Sequence, residues 1–392
     1  MLNTTLSPWP CFTREETEAV ARTLGSNRVN YWTGQETREF EREFAAWTGT
    51  EHAVALANGT LALDVALRGL DIGPGDDVIV TPRTFIASVS CVLNAGARPV
   101  FADVDPDCGN ITADTIRAVA TPATKAILPV HLAGWPAPMP AINALADELG
   151  AVVIEDCAQA HGAAIGNRRV GSWGHVAAWS FCQDKIMTTG GEGGMVTTSG
   201  EALWRRMWAF KDHGKSWEAV YEREHPPGYR WLHESIGTNW RMLEMQAVIG
   251  RIQLTRMDHW TAARARNAAR IRETLAQFPD ALRVPVPPAD VVHAYYRLYA
   301  YVRADGLKSG WSRDRIVSEV QERRIPLGQG SCSEVYLEKA FDGLDVRPNK
   351  RLPIARDLGE TSLAFLTHPT LTDDDLDQMC AVMGDVMALA AR

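Results

Sequence analysis

Three short segments hold residue types whose chemistry depends on where the fold puts them. Asn58-Gly59-Thr60 stands between an apolar run and a helical pattern. A helix N-terminus offers free N–H groups and partial positive charge, which suit a phosphate. Glycine there admits close backbone approach, and the threonine hydroxyl adds a donor. Taken alone, Asn58 or Thr60 also reads as an ordinary helix cap, the commoner use. The second segment, Ile154-Glu155-Asp156-Cys157-Ala158-Gln159-Ala160-His161-Gly162, puts acidic residues at the C-terminal end of an apolar run. Open α/β sheets bind their ligands at such strand ends. Asp156 either caps the next element or is an anion fixing a buried cationic ring nitrogen, with Gln159 as a neighbouring donor. The third segment runs Ser180-Phe181-Cys182-Gln183-Asp184-Lys185, then Thr188-Thr189-Gly190-Gly191-Glu192-Gly193-Gly194. The lysine precedes the glycines and no Gly-Lys-Ser/Thr follows, so this is not a P-loop. Lysines in such loops are usually solvated, but one that is buried or flanked by cations has a depressed pKa and forms Schiff bases. The glycines behind it allow tight turns and near approach of a cofactor.

Together the segments supply a phosphate cradle, a counter-ion for a pyridinium and a nucleophilic amine. Pyridoxal phosphate (PLP) requires those three things of a protein. Phe85, in Pro82-Arg83-Thr84-Phe85, either lids the ring or is a core aromatic at a helix start.

These residues need a scaffold. Between 51 and 207 short apolar runs alternate with helical patterns: strands are expected at 53–57, 77–80, 99–102, 126–130, 152–155, 176–181 and 195–198. Helices are expected at 60–68, 85–94, 112–119 with Thr112 as cap, and 141–149. Such alternation predicts a layered α/β domain with a largely parallel sheet. Helices at 243–254 and 262–278 follow, then a Pro-rich segment at 284–289 and an aromatic strand at 294–302. Tyr295 and Tyr296 would alternate faces of that strand. Helices at 313–322 and 373–391 close the chain. The expected division is a large α/β domain, 1–260, and a smaller α+β domain, 261–392, joined by a linker helix near Thr261.

The chain has 392 residues, 46% hydrophobic and 22% charged, the composition of a globular protein with a sizeable core. A net charge of −8 argues against general binding to nucleic acid or anionic membranes. The longest apolar stretch, near 86–97, is shorter than the ~20 residues of a membrane span. The start, Met1-Leu2-Asn3-Thr4, lacks the pattern of a signal peptide. Seven scattered cysteines with no Cys-x-x-Cys argue against a disulfide framework or structural zinc, so no metal and a reducing, cytoplasmic setting are expected.

The set Asn58-Gly59-Thr60, Thr84-Phe85, Val130-His131-Leu132-Ala133-Gly134, Glu155-Asp156-Cys157-Ala158-Gln159, Ser180 with Lys185, Gly191-Glu192-Gly193-Gly194 and Asn239-Trp240-Arg241-Met242 resembles the DegT/DnrJ/EryC1/StrS family of sugar aminotransferases. The match keeps its order over nearly the whole chain and ends with Leu352-Pro353 and His368-Pro369. The resemblance implies the aspartate-aminotransferase (PLP fold type I) architecture, with a mixed, mostly parallel sheet, a smaller C-terminal α+β domain and a homodimer with active sites at the subunit interface. Lys185 would hold PLP covalently, Asp156 would pair with the pyridinium nitrogen, and Gln159 would contact the oxygen side of the ring. Phe85, at a position often filled by Trp in the family, would stack on the ring. Gly59, Thr60 and Ser180 would bind the phosphate, and Asn239 would reach it from the partner subunit.

The implied reaction is ping-pong transfer from glutamate or glutamine, through the PLP and pyridoxamine phosphate (PMP) forms, to a keto sugar, foremost a nucleotide-linked keto-deoxyhexose. Inosose aminotransferases of the same family are the close rival. Members that act as dehydratases carry His in place of the lysine, so Lys185 disfavours that branch; a lyase would share the cofactor site. Trp32 and Thr33, in Asn30-Tyr31-Trp32-Thr33-Gly34, either line the acceptor pocket or form a surface turn. His213, with Gly214-Lys215, and Arg241 either meet a diphosphate or are solvated. Gly328-Gln329-Gly330-Ser331-Cys332 is a flexible loop that would close over substrate.

Overall fold

The fold, taken from a computed structural model, is described for residues 4–392. Its elements in chain order are α1 (Arg14–Gly25), α2 (Glu36–Thr48), β1 (His52–Leu56), α3 (Gly59–Gly69), β2 (Asp77–Val80), α4 (Ala87–Asn94), β3 (Arg98–Phe101), α5 (Ala113–Arg117), β4 (Thr124–Leu128), α6 (Met139–Leu149), β5 (Val152–Asp156), β6 (Ala164–Ile165), β7 (Arg168–Arg169), β8 (Val176–Ser180), β9 (Gly194–Thr198), α7 (Glu201–Lys211), α8 (Trp217–Tyr221), α9 (Glu244–Leu254), α10 (Met257–Leu275), β10 (Leu282–Arg283), β11 (Val291–Val292), β12 (Leu298–Val302), α11 (Arg313–Glu322), β13 (Leu327–Gly328), α12 (Pro353–Thr361), β14 (Ser362–Phe365) and α13 (Asp373–Ala390).

Seven strands form the main sheet in the order β1-β9-β8-β5-β4-β2-β3. All its pairs are parallel except the two made by β9, which runs antiparallel to β1 and β8. Alternate residues of β1 serve opposite faces: Val54 and Leu56 join the core under α3 and α7, Ala53 and Ala55 the core under α2. Both faces are covered, so β2, β8 and β9 are buried at every position. This is why they read in sequence as unbroken apolar runs.

The second layer is an antiparallel sheet, β10-β12-β14-β13, packed against α10, α11 and α13. α10 is continuous: Met257 and Trp260 pack with the main sheet, while Ala268, Ile271 and Leu275 pack with the second. The N-terminal segment also crosses between them. Leu6 sits in the second core, and Ser7 Oγ donates to Asp375 Oδ2 at 2.6 Å. A small third sheet, β11-β6-β7, joins residues far apart in sequence.

One expected strand is shorter than its pattern. Only Leu298–Val302 pairs, as β12, because Tyr295 adopts a left-handed backbone with φ 47°. Ala294, Tyr295 and Tyr296 instead form a bend held to the 131–134 turn, where the Ala294 N–H donates to Gly134 O at 2.8 Å and the Arg297 N–H to Ala133 O at 3.3 Å. Both tyrosine rings are buried, so they do not alternate between core and solvent. None of the described helices is long and apolar enough to cross a membrane.

Candidate active site

The C-terminal ends of β5 and β8 and the N-terminus of α3 meet at one edge of the main sheet. Asp156 ends β5, and its backbone is fixed on both sides. Its N–H donates to Pro129 O at 2.9 Å, and its carbonyl accepts from the His131 N–H at 3.1 Å. Its carboxylate accepts from Ser88 Oγ at 2.7 Å and from the Ala158 N–H at 3.0 Å. Because the Ser88 hydroxyl donates to Asp156, the Thr84 hydroxyl, 2.8 Å away, donates to Ser88. Burial raises the Asp156 pKa above the usual carboxylate range, against these hydrogen bonds and the positive charge of Lys185.

Lys185 lies on the loop between β8 and β9. The loop is folded on itself: the Phe181 N–H donates to Gly193 O at 2.8 Å, and Thr188 Oγ1 to Phe181 O at 3.0 Å. The Lys185 carbonyl accepts from Trp9 Nε1 at 2.8 Å. Its ammonium is 3.9 Å from Asp184 Oδ1 and 5.3 Å from the centre of the Tyr296 ring. Burial pushes Asp184 upward, but the Lys185 charge and the Tyr296 hydroxyl hold it below its ordinary value.

Gly59 and Ser180 form a tight pair. A Cβ on Gly59 would lie 2.5 Å from the Ser180 Cβ, and one on Gly194 would lie 2.2 Å from Asn58 O. Only glycine at both places lets the first turn of α3 settle against the strand ends. Asn58 caps the helix by accepting the Leu61 N–H at 3.0 Å, so the capping expectation is met. The amides of Gly59 and Thr60 belong to the first helical turn, whose N–H groups lack intrahelical acceptors. The Ser180 hydroxyl stands beside them.

A cavity of about 720 Å³ opens at this edge. Thr84, Phe85, Gln159, Asp184, Lys185 and Tyr296 line part of it; Arg297, Tyr299, the 328–332 loop and Glu338 are among the residues that line the rest. Phe85 is 67% exposed and faces this cavity rather than the core. Gln159 is buried and accepts the Ala133 N–H at 2.7 Å. Its carbonyl oxygen is thus held, leaving its amide N–H₂ as the free donor.

The fold therefore brings Gly59, Thr60, Phe85, Asp156, Gln159, Ser180 and Lys185 to one edge. Of these, Phe85, Gln159 and Lys185 line the cavity; Gly59, Thr60, Asp156 and Ser180 lie outside its lining, as do Trp32, Arg241 and His213. Trp32 Nε1 and Arg241 Nη1 converge on Asp212 Oδ1 at 3.3 and 2.8 Å, with Lys215 Nζ 3.9 Å from the centre of the Trp32 ring. Thr33 closes an exposed turn on Asn30, and His213 is exposed at φ 60°. Asn239 is exposed beside the same group, bridged to Asp212. Sequence reasoning did not single out Ser88, nor the approach of Arg297 and Tyr299 to Lys185. Ser88 lies 68 residues from Asp156, and Arg297 and Tyr299 lie more than a hundred from Lys185, so local periodicity carries no trace of them.

His131, Glu155 and Cys157 also converge. This group is a brace. Glu155 accepts the Trp173 and Gly174 N–H groups on Oε1, both at 2.7 Å, and the Gly171 N–H on Oε2 at 2.8 Å. His131 Nδ1 accepts the Ala137 N–H at 3.0 Å, so Nε2 carries the proton and donates to Glu155 at 3.0 Å. Four donors use the lone pairs a metal would need. His161 is buried between Trp179 and Phe181, and burial pushes its pKa down to about 3, so it stays neutral.

The sheet order, with its single antiparallel insertion and second α+β layer, is that of the aspartate-aminotransferase fold. The model of the DegT/DnrJ/EryC1/StrS aminotransferase family matches residues 10–384, and the chain belongs to that family. It is 37% identical over 351 residues to a UDP-N-acetyl-3-dehydro-alpha-D-glucosamine 3-aminotransferase of Acidithiobacillus ferrooxidans, covering 89% of this chain and 88% of the relative. It is 38% identical over 360 residues to a dTDP-3-amino-3,4,6-trideoxy-alpha-D-glucose transaminase of Streptomyces venezuelae, covering 91% and 88%. An aminotransferase structure from Psychrobacter cryohalolentis superposes with a TM-score of 0.97 at 62% identity, covering 98% of this chain and 99% of that one.

Proposed function

We propose that this protein is a PLP-dependent sugar aminotransferase that moves an amino group from glutamate or glutamine to a nucleotide-linked keto sugar. The observation that carries the reading is the meeting, at one sheet edge, of an amine that lines the cavity, a buried carboxylate and a helix N-terminus. The residues fit the cofactor. The Gly59–Ser180 contact leaves the first turn of α3 without side-chain cover. Asp156 is buried with its carboxylate oriented by Ser88 and Ala158, as a partner for a cationic ring nitrogen must be. The two relatives act, by their names, on nucleotide-linked amino sugars, and 720 Å³ lies within the ~300–1,000 Å³ usual for small-ligand sites.

Lys185 would hold the cofactor, Asp156 its ring nitrogen, Gln159 its ring oxygen, and Gly59, Thr60 and Ser180 its phosphate, with Phe85 against the ring. Bound there, pyridoxal phosphate supplies an electron sink for the carbanion formed at the amino-bearing carbon. The work of the chain is placement and proton transfer. The Lys185 amine would serve as the proton carrier: in the first half-reaction Nζ would take the proton on the amino-bearing carbon of the donor, and in the second it would give one to the former carbonyl carbon of the acceptor. A cationic ring nitrogen beside Asp156 would favour its ionised form, against the burial that raises its pKa. The Thr84–Ser88 hydroxyl pair keeps its oxygens aimed.

Lys185→Ala tests the reading: turnover and the visible absorbance of the lysine-bound cofactor should both vanish. Full turnover by that variant would overturn it. Formation of 2-oxoglutarate from glutamate separates a transaminase from a lyase or dehydratase. Mixing the aminated enzyme with keto-sugar nucleotides and with inososes identifies the acceptor class.

A further inference from the structure

A ping-pong transaminase must seat two reactants in turn in one cavity, and the donor always brings carboxylate. The groups assigned above account for the cofactor and leave the donor's charge unmet. The charged side chains on this cavity wall are Lys185, Arg297, Asp184 and Glu338. Lys185 and Asp184 face each other, and Asp184 also accepts the Tyr296 hydroxyl. Arg297 differs: among the described residues it makes no ion pair. Its one side-chain hydrogen bond is Nη1 to Tyr296 O at 2.8 Å, and its guanidinium lies 4.3 Å from the centre of the Tyr296 ring.

The mounting of Arg297 is rigid. Its N–H donates to Ala133 O, and the Ala133 N–H donates to Gln159, the residue placed at the ring's oxygen side. Gly134 holds the adjacent bend by close approach: a Cβ there would lie 2.9 Å from the Tyr295 N. Tyr296 supports the guanidinium from one face and donates its hydroxyl to Asp184, an acid that feels the Arg297 charge but makes no ion pair with it. A planar guanidinium stacked on an aromatic ring with most of its N–H groups uncommitted is suited to bidentate recognition of a carboxylate.

We propose that Arg297 is the carboxylate-binding residue of this cavity and that it receives a carboxylate of the amino donor. This rests on the transaminase reading. An acidic acceptor sugar would present the same chemistry in the second half-reaction, so the two half-reactions are measured apart.

The test uses the holoenzyme and its Arg297→Gln and Arg297→Lys variants. Glutarate, which cannot react, is titrated calorimetrically, and L-glutamate is titrated in single-turnover mode by the visible spectrum. Loss of one partner of a charged hydrogen-bonded pair predicts that Arg297→Gln weakens both ligands by at least about 30-fold. The rate at saturating glutamate should change little, and the unliganded spectrum should be retained. Arg297→Lys should recover part of the affinity. Wild-type affinity for glutarate in Arg297→Gln would overturn the proposal. So would a defect confined to the acceptor half-reaction, which would assign the carboxylate to the acceptor. If the wild-type enzyme reacts with neither L-glutamate nor L-glutamine, the transaminase reading falls, and glutarate binding still decides the role of Arg297.

Discussion

A Cβ built on Gly59 falls 2.5 Å from the Ser180 Cβ and 2.9 Å from its Oγ, with the Ser180 Cα at 3.0 Å. None of these is the yielding end of a long side chain. Gly59→Ala must therefore push the first turn of α3 away from β8, separating the Gly59 and Thr60 amides from the Ser180 hydroxyl. Overpacking of this kind costs about 1–3 kcal/mol. If the three groups hold one phosphate, the damage should appear in cofactor affinity, weakened about 10- to 100-fold by equilibrium dialysis. An unchanged dissociation constant would remove the phosphate from this corner. Gly59, Asp156 and Lys185 were legible in the sequence because their neighbours are local: a strand end, a turn and a glycine run each lie within ten residues. Arg297 was not, because the bend that delivers it depends on a positive φ at Tyr295 and a dock on Gly134. The aromatic pattern of 294–302 looked like strand for the same reason that the rings are buried: bulky apolar side chains satisfy either backbone.

At the scale of elements, the site depends on how β5 is tied to the chain around it. Glu155, one residue before Asp156, gathers the 171–174 loop and the 131–137 turn through three backbone N–H groups and His131. Glu155→Gln would set an amide N–H₂ against donors in a fully buried site. A buried donor left unsatisfied costs about 1–3 kcal/mol, so the thermal midpoint should fall by several degrees in a melt followed by far-UV circular dichroism. Cofactor binding should suffer less than in Gly59→Ala, since Asp156 keeps its own partners; an unshifted midpoint would contradict the brace. The strands of this sheet could be read because burial on both faces leaves them continuously apolar. α1 could not be read in that way, since its buried residues are Glu16, Ala19 and Thr23, and Glu16 is anchored by Gln253 and Arg256 rather than by apolar packing. Its available signal was the capping box of Thr13 and Glu16, in which the carboxylate accepts the Thr13 N–H. The short β6 and β7 pair has no periodicity to detect and is defined by a long-range partner, β11.

For the whole molecule, the stretch between α8 and α9 is the part that a single chain leaves unexplained. Tyr229, Trp231 and Ile236 are 73, 77 and 87% exposed. Large apolar side chains grouped on a surface mark a contact with another molecule. Asn239 lies in the same stretch, exposed and outside the cavity that Lys185 lines. If the occupant of that surface is a second copy and Asn239 completes the second copy's phosphate site, two separate lesions should complement. Lys185→Ala removes the amine from its own subunit, while Asn239→Ala weakens the site of its neighbour. In a symmetric dimer carrying one of each, one site has lost both groups and the other has lost neither. Co-expressing the two variants with different affinity tags and isolating the mixed dimer should return about half of wild-type activity per dimer, well above either variant alone. If Asn239 served its own subunit, the mixed dimer would have one lesion in each site and would stay below the Asn239→Ala parent. A monomer in sedimentation equilibrium would refute the shared site outright, because no neighbour would be present to lend the residue.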